Sequence, residues 1–134
     1  GKGSRAGIEK GMPVLHEGYL SGKIVEVNYL SSRVLLLNDL NSKIPVVIEE
    51  SGVHAILAGS GTEKPKLEYL PEGFELSENF TIFTSGKDGI FPPGIPIGKV
   101  NLNDNSLEVE LFSSSSQLSF VNVILTKTEI KEKF

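Results

Sequence analysis

The segment Ser106-Leu-Glu-Val-Glu-Leu111 alternates without a break, with Leu107, Val109 and Leu111 on one face and Glu108 and Glu110 on the other. A period of two belongs to a half-buried strand and not to a helix. Lys23-Ile-Val-Glu-Val27 repeats the pattern in part. Four short apolar runs rich in β-branched residues join these: Arg33–Leu37, Ile44–Ile48, Phe80–Phe83 and Phe120–Leu125. Turn residues such as Asn38-Asp39 and Ser51-Gly52 bound them, which favours strands over helices. Pro45 has no N–H for a ladder, so its strand is expected to start there or to lie at an edge. His54–Ala58 and Lys66–Leu70 are weaker strand candidates. The one helix-like window, Leu67 to Phe80, is interrupted by Pro71 and Gly73, and at most a short helical turn is expected there. Short strands with turn signals every ~8–12 residues predict an all-β chain of about nine strands or more, as a small sandwich or barrel.

A chain of 134 residues with 39% hydrophobic content can bury a core as one domain or as two very small ones. The net charge of −4 and the lack of a long basic run argue against a nucleic-acid-binding module. Cysteine is absent, so disulfides, thiol catalysis and Cys-based zinc sites are excluded. No apolar run reaches the ~18–20 residues of a membrane helix, and no signal peptide is legible. Residues 49–78 hold seven acids against Lys64 and Lys66. That excess reads first as a solvated loop face and second as a site for a basic partner.

The chain also echoes itself. Gly7-Ile8 follows a glycine four residues earlier, and Gly89-Ile90 follows one three residues earlier. Gly11-Met-Pro-Val14 and Gly94-Ile-Pro-Ile97 come next, and both copies resume with Gly-Lys, at Gly22 and at Gly98. Glycines so placed supply positive φ or bulges, so Gly7, Gly11, Gly86, Gly89, Gly94 and Gly98 are predicted turn residues. The duplication predicts two small β-units of similar build, with the boundary between them left open.

Candidate chemistry is thin. Gly86-Lys-Asp-Gly89 lacks the rest of a phosphate loop and reads as a turn. His16 and His54 are the only histidines, and no ligand spacing surrounds them, so no metal and no cofactor is expected. The order His, Asp, Ser can be drawn as His16, Asp39, Ser85 or as His54, Asp88, Ser113, but a triad is defined by geometry and an oxyanion hole. No Gly-x-Ser-x-Gly elbow exists. Ser85 is expected to bond backbone near Gly86, and Ser113–Ser116 to be a polar loop. Ile90 and Phe91 sit between two turns: either Phe91 plugs its own barrel or the pair is a candidate partner contact.

Three stretches resemble MreC, the bacterial rod shape-determining family. The strongest is Thr84-Ser-Gly-Lys-Asp-Gly-Ile-Phe-Pro-Pro-Gly-Ile-Pro-Ile-Gly-Lys-Val100, which is similar to that family's signature turn. The others are Gly3–Val14 followed by Gly22–Val25 and Ser31–Asp39, and the closing Val121–Leu125. The resemblance runs in order over residues 3–125. It implies a β-rich ectodomain fragment of two small β-barrels, distantly chymotrypsin-like, with very little helix. The family's membrane helix, coiled coil and the strand before the first glycine turn are not in the sequence. The resemblance further implies a non-catalytic scaffold of the cell-elongation machinery that organises peptidoglycan synthesis on the periplasmic face of the inner membrane. Implied partners are further copies of itself, the elongation-specific class B penicillin-binding protein and, through the full-length assembly, MreB, MreD and RodZ. It implies neither nucleic-acid binding nor membrane contact by this fragment, and no catalytic residue carries over. A serine hydrolase on a similar barrel and a carbohydrate- or peptide-binding β-module are the alternatives.

Overall fold

A computed structural model describes residues 7–75, 79–89 and 91–114. Nine strands fall among them: β1 (Pro13–His16), β2 (Tyr19–Val27), β3 (Ser32–Leu36), β4 (Lys43–Ile48), β5 (His54–Ala58), β6 (Lys66–Glu68), β7 (Thr81–Thr84), β8 (Pro96–Asn103) and β9 (Ser106–Leu111). Strands β1, β2 and β3 form an antiparallel sheet in that order. The other six close into a barrel, ordered β4-β5-β6-β9-β8-β7. One of the two β-units is therefore a closed barrel, and the other is, among the described residues, a three-stranded sheet.

Local chemistry explains the connections. Glu17-Gly18 links β1 to β2 with φ of 55° and 87°, and Asp104-Asn105 links β8 to β9 with φ of 49° and 66°. Two successive positive φ values make a type I′ turn, whose twist matches that of a hairpin, and Gly, Asn and Asp adopt them most readily. Alternation then fills the barrel. Ile44, Val46 and Ile48 of β4, Leu57 of β5, Ile82 of β7, Ile97 and Val100 of β8, and Val109 of β9 are at most 1% exposed. The core is continuous with the sheet, since Leu20 of β2 and Leu37 after β3 join the same cluster. Tyr19 on β2 also packs against Phe112 beyond β9, with ring centroids 5.0 Å apart.

The expectation for Pro45 changes. Pro45 lies inside β4, paired with Ile56 on one side. On the other side the β4–β7 ladder runs only from Val46 to Ile48. The Pro45 carbonyl accepts from the Ser85 N–H at 3.2 Å, so the missing N–H falls where that ladder has ended. A closed barrel thus accommodates proline without presenting an edge. The described part of the Leu67–Phe80 window contains no helix; the helical turn is a 3₁₀ turn at Lys87–Gly89. The strand expected over Phe120–Leu125 lies outside the described residues.

Candidate interaction surfaces

The Thr84–Val100 stretch is a turn built around one hydroxyl. Thr84 is 1% exposed at the end of β7. Its Oγ1 donates to the Pro92 carbonyl at 2.7 Å and accepts from the Ile95 N–H at 2.9 Å. Its backbone also closes the turn: the Thr84 N–H donates to Ile95 O, and the Gly94 N–H donates to Thr84 O, both at 2.9 Å. Four bonds to one residue fix both ends of the loop. Thr84 heads the signature stretch. A β-branched hydroxyl at the junction of strand and glycine turn was the available signal.

Gly86, Gly89 and Gly94 carry φ of 78°, 66° and 90°, and Gly7 and Gly11 carry 78° and 92°. The internal echo therefore extends to conformation, and Pro13 and Pro96 each open a strand after it. It breaks at the Gly-Lys step. Gly22 belongs to β2, one hairpin beyond Pro13, whereas Gly98 lies in β8 together with Pro96. Gly98 is not the predicted turn residue. A Cβ there would stand 2.5 Å from the Glu110 carbonyl oxygen and 2.8 Å from Val109 Cγ1, so it is glycine because β9 approaches closely.

Phe91 is likewise corrected as a partner contact. It is 5% exposed and belongs to the core cluster, so the turn folds its aromatic residue inward as a plug. Ile90 lies outside the described residues.

Ser85 and Asp39 of the first serine hydrolase constellation are bonded locally. Ser85 Oγ accepts from the Lys87 N–H at 3.1 Å. Asp39 Oδ1 accepts from the Asn41 N–H at 2.8 Å. His16 Nδ1 is buried without a hydrogen-bond partner. His54 is exposed on β5, and Ser113 is 2% exposed just past β9. No cluster of potential metal ligands occurs among the described residues. None of their helices is long and apolar enough to cross a membrane. In the acidic stretch Glu50, Glu63, Glu72 and Glu75 are exposed, as a solvated face requires.

What the molecule presents instead is surface. β1 and β3 are the outer strands of their sheet and carry no further strand among the described residues. An unpaired strand edge is a row of N–H and C=O groups open to another chain. Beside β3, Val34, Leu36, Leu40 and Gly61 line a shallow groove, with Leu36 39% and Leu40 68% exposed. At the β2–β3 tip, Tyr29 and Leu30 are 70% and 77% exposed, where turn chemistry ordinarily favours Gly, Asn or Asp.

Comparison with known proteins gives these surfaces a context. The family model described as "Rod shape-determining protein MreC, barrel core" matches residues 1–125. The cell shape-determining protein MreC of Caulobacter vibrioides is 40% identical over 126 residues, which cover 93% of this chain and 36% of that protein. The chain thus spans about a third of that relative's length. The major periplasmic domain from the cell shape-determining filament MreC (monoclinic form) superposes with a TM-score of 0.72 at 23% identity, over 91% of this chain and 81% of the other. The complex between penicillin-binding protein PBP2 and MreC from Helicobacter pylori contains a chain similar at TM-score 0.65 and 18% identity, over 80% of this chain and 71% of the other. These two structures share the fold.

Proposed function

The chain belongs to the MreC family, and on that premise we propose that it is a non-catalytic scaffold of the rod-shape machinery. In this reading it docks a penicillin-binding transpeptidase of cell elongation and associates with further copies of itself. It works on the periplasmic face of the inner membrane, and MreB, MreD and RodZ join through the full-length assembly. The observation that carries the reading is the family match over residues 1–125, set beside a chain of the same fold in complex with PBP2. A periplasmic domain of the same fold supports the location. The outer strands β1 and β3, which carry no further strand among the described residues, suit association between copies by strand addition.

The hydrolase reading has no such support, because Ser85 and Asp39 are engaged in local backbone hydrogen bonds and His16 Nδ1 is buried without a partner. Two measurements test the scaffold. Titration of the chain with the periplasmic region of its elongation penicillin-binding protein should give saturable binding. Sedimentation velocity should show association that grows with concentration. Absence of both at high concentration, or stoichiometric labelling of Ser85 by a fluorophosphonate, would sink the proposal.

A further inference from the structure

Strand connections favour Gly, Asn and Asp, which are polar or small and tolerate turn geometry. The β2–β3 connection, Asn28-Tyr-Leu-Ser31, carries Tyr29 and Leu30 at its apex instead. Leu30 is the most exposed large hydrophobic residue among the described ones, and Tyr29 is exposed almost as fully. Their backbone is closed behind them. The Asn28 N–H donates to Ser31 O at 2.7 Å, and Val27 pairs with Ser32 just below. Every residue from Val27 to Ser32 is uncharged. The first charges stand one rung further down, where Glu26 pairs with Arg33 and Arg33 Nε lies 3.2 Å from Glu26 Oε1. At ~3.3 Å per residue, that rung is ~10 Å behind the apex. The tip is therefore layered: two apolar side chains, a collar of Asn28, Ser31 and Ser32, then an exposed ion pair that neutralises itself.

We propose that this tip is a membrane-contact site, with Leu30 and Tyr29 entering the boundary between lipid headgroups and acyl chains. The proposal goes beyond the scaffold reading and takes from it only the location beside a membrane. The family resemblance implies no membrane contact by this fragment, and no helix among the described residues can cross a bilayer. Lying on a bilayer is a different relation from spanning it. The depth fits: peripheral insertions reach ~5–10 Å, which takes in the apex and its collar and leaves the Glu26–Arg33 pair at the surface. Tyrosine, with an apolar ring and a polar end, suits that boundary. The edge of β3 sets the limit, because strand edges do not enter hydrocarbon. Charge sets the orientation. Residues 43–114 hold eleven acids against five lysines, whereas residues 7–42 hold four acids against three basic residues. An anionic bilayer repels the barrel far more than the sheet, so the chain approaches tip first. Two protruding side chains are also too few for a protein partner, which needs ~800 Å² on each side. A bilayer needs no matching shape.

The chain contains no tryptophan. Leu30→Trp therefore places a single fluorescent reporter at the apex and keeps it apolar, and Tyr69→Trp places one at an exposed position of the barrel. The full chain is tethered by a terminal histidine tag to vesicles of phosphatidylethanolamine and phosphatidylglycerol that carry a nickel-chelating lipid. Tethering supplies the local concentration that a membrane anchor supplies. The Leu30→Trp emission should shift to the blue and be quenched by lipids brominated near the headgroup, and the Tyr69→Trp emission should do neither. Adding Tyr29→Ser to Leu30→Trp should lower the ratio of inserted to free tip about tenfold. Raising the salt should increase insertion, since screening relieves the repulsion of the barrel. An unshifted Leu30→Trp emission would overturn the proposal, as would an equal shift from Tyr69→Trp. A blue shift that grows with protein concentration without vesicles would make a second copy the occupant and overturn it too. Titration of the same proteins with the transpeptidase separates the two readings. Transpeptidase binding without a lipid signal removes the tip contact alone, and a lipid signal without transpeptidase binding removes the scaffold reading and supports the tip.

Discussion

Thr84 shows how one side chain organises a loop. Its hydroxyl donates to Pro92 O and accepts from the Ile95 N–H, and it is 1% exposed. Thr84→Val keeps the shape and removes both bonds, leaving the Ile95 N–H without that partner. An unsatisfied buried group costs about 1–3 kcal/mol, and Thr84→Ser should recover most of it. Urea denaturation of the three proteins checks this; equal midpoints for Val and Thr would refute the clamp. Phe91 belongs to the same loop but to a different term in the energetics. At 5% exposure its ring is core, so Phe91→Ala should lose about 3–5 kcal/mol, through lost burial plus the cavity left behind. A loss under about 1 kcal/mol in the same denaturation series would return Phe91 to the surface.

At the scale of the element, two glycines of the signature do opposite jobs. Gly89 ends the 3₁₀ turn at a φ of 66°, with nothing within 4 Å of a built Cβ. Its requirement is conformational. Asn tolerates that region better than other side chains, so Gly89→Asn should cost no more than about 1 kcal/mol. Gly98 sits in β8 with ordinary backbone but against the Glu110 carbonyl. Its requirement is spatial, so even Gly98→Ala should lose about 1–3 kcal/mol by forcing β9 away. Thermal melts of both variants separate the two mechanisms. If Gly89→Asn proves the worse substitution, the assignment of roles is inverted. The sequence pattern could place both glycines but could not tell them apart, because a glycine has the same letter whether it serves φ or clearance.

For the whole molecule, the question is whether sheet and barrel are independent. Leu20 and Leu37, from the sheet side, are in the barrel's core cluster, and the Tyr19 ring packs at a tilt against Phe112 across the junction. Gly59 and Gly61, past β5, complete the link: their N–H groups donate to Ser42 O and Asn38 O, both at 2.9 Å. A shared core predicts one cooperative unfolding transition. Leu37→Ala should lower it as a whole by about 2–5 kcal/mol. Far-UV circular dichroism and tyrosine fluorescence, followed together in urea, should give coincident curves. Two resolved transitions would mean two separately stable units.

Alternation and turn chemistry are local, so they were readable in the chain itself. Period two in Ser106–Leu111, the β-branched runs and the Gly/Asn/Asp turns determined an all-β protein, and the quoted motifs determined its family. Which face of a strand meets solvent is decided by partners far away in sequence. Pro45 points to a strand start or an edge because its missing N–H is a local fact, whereas the end of the β4–β7 ladder beside it is a tertiary one. Phe91 was ambiguous for the same reason: the turn allows its ring either direction, and the closing of the barrel chose the inside. Val47 and Phe83 stand in short apolar runs whose sequence does not tell inside from outside. Only barrel closure, by placing Val46 and Ile82 inside, set Val47 and Phe83 on the outer wall.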